Sequence, residues 1–236
     1  PDKLESVEPF LFNLFNDPEI LSIPTILRYP LAKFISKRRA PIAKNIYREI
    51  GNKSPILQLT QEQAKSLEHK LLAKGEYKCF VVMRCWHPRA VEVIKQVKEF
   101  NPEEIILLPL YPQFSAATSG SSINEWNDLC KKENYNIKTK IICCYPTESN
   151  FIKSHVSLIK KTVKDIENKN FKLLFSAHGL PEIKIKKGDP YQWQVEESVR
   201  LIMSSLKEEN LDYVISYQSR VGPLKWIGPS TEEEII

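Results

Sequence analysis

Short apolar runs alternate with stretches of helical period from Tyr77 onward, and that alternation leaves few folds open. The runs fall at 79–83, 105–110, 140–144, 171–175 and 213–216, and the helical stretches near 89–100, 118–133, 149–168 and 191–208. In the last of these, Val195, Val199, Ile202, Met203 and Leu206 share one face. Strands that alternate with helices imply parallel βαβ units wound right-handed, which makes this an α/β protein. A strand that ends in the turn 145–147 divides the chain into 1–146 and 147–236. The two parts read as similar arrays of parallel strands flanked by helices, with a crevice between their strand ends.

With 42% hydrophobic residues, the 236-residue chain can bury a sizeable core. Its formal net charge of +5 is too small to require a nucleic-acid partner. The apolar run 105–111 is far short of the roughly 20 residues that span a bilayer, and no signal peptide is visible. Five cysteines without a CxxC pair or zinc spacing read as free thiols, which fits the cytosol or an organelle matrix.

Near the start, Val7, Phe10, Leu11, Leu14 and Phe15 recur at helical spacing, with Ser6 as cap and Asp17-Pro18 as stop. Between Ile20 and Arg48 there is no acidic residue. Arg28, Lys33, Lys37, Arg38, Arg39, Lys44 and Arg48 are interleaved there with Ile23, Ile26, Leu27, Leu31, Phe34 and Ile35. Such a segment is a solvated basic face, a surface for anionic headgroups, or a lip for an apolar ligand bearing carboxylates, which guanidinium forks match.

The chain has seven glycines, no G-x-G-x-x-G and no P-loop, so nothing points to a dinucleotide or nucleoside triphosphate. Gly120-Ser121-Ser122 is a helix start with capping serines, not a nucleophile elbow. His178 is the residue with chemical promise. It falls just past the apolar run 171–175, where ligands of open α/β sheets bind, and is followed by Gly179 and Pro181. Such a histidine is a ligand or base facing a cleft, or a satisfied packing residue. His87 reads as structural, and His69 and His155 as surface or satisfied histidines on helices.

Several segments, in collinear order over essentially the whole chain, resemble the ferrochelatase family. LFSAHGLP (174–181) with KGDPY (187–191) resembles its signature, and SYQSRVGPLKWIGPST (216–231) and YPQFSAATSGSS (111–122) resemble two further blocks. KRRAPIAKNIYREIG (37–51) and MRCWHP (83–88) match two more. The resemblance implies two Rossmann-like, chelatase-type lobes with four-stranded parallel sheets and a porphyrin cleft between them. The first lobe (1–146) would bear the cleft lip and the second (147–236), incomplete, the catalytic histidine.

The reaction so implied is insertion of ferrous iron into protoporphyrin IX to give protohaem. It removes two pyrrole N–H protons, a task for a neutral imidazole. By resemblance His178 is that proton acceptor and a transient iron ligand. Arg39 and Ser219 resemble the arginine and serine that contact the propionates, and Tyr47, Arg84, Tyr111 and Trp226 align with cleft positions. Porphyrin and ferrous iron are the implied partners, with peripheral membrane contact through 21–44 and no permanently bound cofactor. Ala116 stands where some members have an iron–sulfur cysteine, which disfavours a 2Fe–2S cluster, and Ile42 stands where some have a lysine near the propionates.

Pro1 resembles the proline of the family's N-terminal glycine-glycine-proline turn, and the chain reaches Ile236 before the segment that carries the family's catalytic glutamate. The expectation is a fragment lacking the first strand and that segment. Coproporphyrin as substrate, a tetrapyrrole-binding module without catalysis and a generic two-lobe binder are the competing readings.

Overall fold

The computed structural model describes residues 1–164, 166, 171–206, 211–220 and 224–235. They fall into two compact units, Pro1–Ile105 with Ser121–Lys140, and Ile106–Gly120 with Ile141–Ile236. A single cut near 146 would leave residues 106–120 with the first unit; they pack instead with the second.

The first unit is mainly helical. Helices α1 (Val7–Phe15) and α2 (Thr25–Glu49) pack closely, with Val7, Leu11 and Ala40 buried where they meet and Phe10, Phe15, Ala43 and Tyr47 around them. The buried positions of α2 are Ala32, Ser36 and Ala40, small residues spaced by four, so the two helix backbones can approach. The larger apolar residues of α2 therefore lie elsewhere on its surface. Ser6 precedes α1 as expected, but its hydroxyl donates to Asp2 (2.7 Å) and makes no cap bond.

Helix α3 (Ile56–Leu71) buries no residue, whereas α4 (Ala90–Phe100) buries Ala90, Val93, Ile94 and Val97. The Glu92 carboxylate accepts from the Arg89 backbone N–H at 2.8 Å, and Asn101, at φ 51°, closes the other end. Helix α5 (Ser121–Lys132), preceded by a π-helical turn at Ala116–Gly120, buries Trp126.

The strand expected at 79–83 does not form. Its terminal donors are satisfied elsewhere: the Cys79 N–H donates to the Glu68 carboxylate (2.6 Å) and the Met83 N–H to the Pro88 carbonyl (2.7 Å). Among the described residues no ladder partner lies alongside, and an apolar run without a neighbouring strand has no sheet to join.

Strands β1 (Glu104–Leu107) and β2 (Lys138–Ile141) pair, and the division between units falls inside both. In the second unit, β3 (Lys172–His178) runs parallel to β4 (Asp212–Gln218), in register from Lys172 opposite Asp212 to His178 opposite Gln218. Each sheet has two strands among the described residues, where the resemblance implied four.

Helices α6 (Ser149–Lys164) and α8 (Tyr191–Ser205) cover one face of β3 and β4. Ile152, Ile202 and Leu206 form the core there, with Leu173 and Phe175 packed against them. Alternation along β3 sends Leu173, Phe175 and Ala177 toward the protein interior and leaves Leu174, Ser176 and His178 outside. A second cluster, Val195, Tyr217 and Ile227, lies under the strand ends. Two short helices, α7 (Glu182–Lys186) and α9 (Thr231–Ile235), follow β3 and β4. The far ends of the expected helices 149–168 and 191–208, and Val221–Pro223 of the 216–231 motif, lie outside the described residues.

Ile202 is 2% exposed, so Ile202→Ala removes core volume that its neighbours cannot refill. The expected loss is about 2–5 kcal/mol, read as a lower urea midpoint at unchanged slope.

Candidate active site

The carboxyl end of β3 is held by one backbone hydrogen bond, from the Gly179 N–H to the Gln218 carbonyl at 2.7 Å. The approach leaves no room for a side chain. A Cβ on Gly179 would lie 2.9 Å from that carbonyl oxygen and 3.3 Å from Trp226 Cε3. Trp226 itself bridges antiparallel to Pro181, and the Glu182 N–H donates to the Lys225 carbonyl (2.9 Å), which ties the 224–227 strap across the LFSAHGLP motif.

On this support His178 is exposed at the last position of β3. Its Nδ1 lies 2.8 Å from the Gly179 carbonyl oxygen. A carbonyl only accepts, so the neutral ring carries its proton on Nδ1 and presents an unprotonated Nε2. Behind it, burial pushes the Tyr191 phenol up, opposed by a backbone hydrogen bond from His178. Burial also raises the Tyr217 phenol, with the Glu196 carboxylate adding to the effect.

Ser219 follows Gln218, the register partner of His178, and is exposed at φ +67°, a conformation that L-residues seldom adopt. His178, Ser219 and Trp226 are thus gathered at the ends of β3 and β4. Tyr111 is exposed at the head of the 111–122 motif. That motif is fastened within the same unit by two residues that no chemical expectation had singled out. Asp189, in KGDPY, accepts from Ser115 Oγ (2.8 Å) and the Ala116 N–H (2.9 Å) through one oxygen, and from the Tyr191 N–H (3.1 Å) through the other. Gln194 accepts from the Phe114 N–H (2.6 Å), and Gln113 donates to Ser198 (3.0 Å). The signal for Asp189 was its place in the KGDPY motif; Gln194 had none.

In the first unit, Arg39 is exposed on α2 and its guanidinium stacks over Phe15 at 5.8 Å from the ring centroid. Tyr47 is half-buried against the α1–α2 core, and burial raises its phenol. Arg84 makes several polar contacts: Asp17 (2.9 Å), Glu125 (3.1 Å) and Ser121 Oγ (2.7 Å). Ser121 begins α5, but its hydroxyl donates to Asp17 at 2.7 Å rather than capping the helix. Burial pushes the neighbouring Cys85 thiol up to about 11. His87 pairs with Glu92 at 2.6 Å, and His155 Nδ1 with the Phe151 carbonyl at 3.0 Å.

The sequence profile described as Ferrochelatase matches residues 1–236. The chain belongs to the ferrochelatase family. It is 70% identical to the ferrochelatase of Pelagibacter ubique, with all of this chain aligned to 69% of that protein's length. It is 53% identical to the ferrochelatase of Rickettsia felis over 68% of that protein and 49% identical to that of Rickettsia bellii over 65%. Members of the ferrochelatase family are lyases of haem synthesis that insert ferrous iron into a porphyrin, and this is the function class of the chain.

Asp189→Ala would leave three backbone and hydroxyl donors without their acceptor. The expected cost is about 1–3 kcal/mol, with the amide of Ala116 exchanging its hydrogen at least tenfold faster and amides inside α6 unchanged.

Proposed function

We propose that His178 is the proton acceptor of the metal-insertion reaction and a transient ligand of the incoming iron. The observation that carries this is the exposed imidazole whose Nδ1–H is committed to the Gly179 carbonyl, which leaves Nε2 as the acceptor. Insertion removes two pyrrole N–H protons as Fe²⁺ takes their place among four nitrogens. Nε2 takes up one proton at a time and, on an exposed residue, returns it to water before the next. The same lone pair can hold Fe²⁺ while the metal sheds water, because imidazole suits iron.

The proposed substrate is protoporphyrin IX. Taken unit by unit, the Arg39 guanidinium suits a propionate in the first and the Ser219 hydroxyl suits one in the second; coproporphyrin is the alternative substrate. Trp226 and Tyr111 offer aromatic faces to the macrocycle, and Tyr47 and Arg84 are proposed as further contacts.

We also assign peripheral membrane contact to α2. No described helix is long and apolar enough to cross a membrane. Yet Leu27, Leu31, Phe34 and Arg38 lie opposite its buried side, Ile26 is 83% and Phe34 63% exposed, and Lys33 and Lys37 are exposed beside them. Apolar residues beside lysine and arginine suit the headgroup region of an anionic bilayer.

His178→Ala should lower the rate of zinc or iron insertion by about 10²–10⁴-fold while porphyrin quenching of tryptophan fluorescence stays within about threefold. A loss under about tenfold would remove His178 from the chemistry, and unaltered protein that binds porphyrin without turnover would favour the binding module. Joint Ile26→Asp and Phe34→Asp substitution should abolish flotation with vesicles rich in phosphatidylserine and leave insertion into a water-soluble porphyrin unchanged.

A further inference from the structure

Neighbouring side chains along a strand point to opposite faces, but just beyond β2 two of them converge. The sulfurs of Cys143 and Cys144 are 3.3 Å apart. The backbone on either side is pinned, by the Ile142 N–H to the Leu107 carbonyl (2.9 Å) and the Tyr145 N–H to the Pro112 carbonyl (2.8 Å). Cys143 is exposed. Cys144 accepts from Nε2 of Gln194 at 3.6 Å, and Gln194 is 8% exposed. The pair is thus a fixed dithiol with one open sulfur and one backed by a buried amide.

The geometry points to a chelating site for a thiophilic trivalent arsenical or antimonial. A disulfide brings two sulfurs to about 2.05 Å, well inside the observed gap. With sulfur–ligand bonds of about 2.3 Å, the gap subtends about 90° at a single bound atom, the angle of a pyramidal three-coordinate centre. Capture of an aryl arsine oxide forms two S–As bonds and breaks both S–H bonds and the As–O bond. The oxygen leaves with the two protons as one water, and no atom changes oxidation state.

The remaining thiols do not compete. Cys79, Cys85 and Cys130 are half-buried, and none of the three has a second described sulfur beside it. The occupant would also be felt by the 111–122 motif. The amide of Gln194 that backs Cys144 is the group whose oxygen holds the Phe114 N–H, and an atom bound at the sulfurs claims the lone pair and space that Nε2 uses.

The probe is phenylarsine oxide added to reduced protein, followed by intact mass spectrometry. One adduct per chain should survive millimolar glutathione and be released by dithiothreitol, because only a second vicinal dithiol can displace a chelate. Cys143→Ser and Cys144→Ser should each reduce retention against glutathione at least tenfold, and joint Cys79→Ser, Cys85→Ser and Cys130→Ser substitution should leave it intact. Adduct washed out of the unaltered protein by glutathione, or kept by both single variants, would overturn the site. Hydrogen exchange at the Phe114 amide should quicken at least tenfold in the adduct, and an unchanged rate would overturn the link through Gln194.

Discussion

The second unit's candidate site depends on the contact between the Gly179 amide and the Gln218 carbonyl. The two parallel strands end side by side because this bond continues their ladder one residue past His178. Only a residue without a side chain fits there, since the carbonyl and the Trp226 ring occupy the space a Cβ needs. Strand alternation then determines which way His178 faces, and the same glycine's carbonyl determines which ring nitrogen is protonated. Position, orientation and tautomer of the proposed base follow from one tight crossing of backbones.

Around that point the second unit adds polar ties to the apolar cluster under the strand ends. Asp189 and Gln194 collect backbone donors of the 113–116 segment, which follows β1 and pairs with no strand among the described residues. Buried amide groups need partners, and side chains supply them where a sheet does not. The first unit shows the complementary solution. Asp17 and Glu125 meet Arg84, and Glu125 also meets Arg89 at 2.6 Å, so the 84–89 loop is held by charge between α5 and the turn that follows α1.

Much of the α/β character was legible in the sequence because burial writes a period into it. The runs at 171–175 and 213–216 became β3 and β4, and Val195, Val199, Ile202 and Leu206 became the buried face that covers them. The site segments were legible through resemblance. What could not be read has physical causes. The run 79–83 is apolar enough for a strand, but a strand needs a neighbour, and hydrogen-bond partners are not encoded locally. Ser6 and Ser121 sit where caps belong, yet Asp2 and Asp17 offer stronger acceptors, one of them distant in sequence. The long helix α2 was hidden by its inversion: its inner face is alanine and serine and its outer face apolar and basic, so no amphipathic pattern marks it.

The central claim is a tautomer, and nitrogen-15 NMR reads it directly. In protein labelled at histidine, long-range proton–nitrogen correlation at a pH where the ring is neutral should show the His178 proton on Nδ1 and a pyridine-like Nε2. A proton found on Nε2, with Nδ1 bare, would contradict the account, because the nitrogen said to receive pyrrole protons would already be occupied.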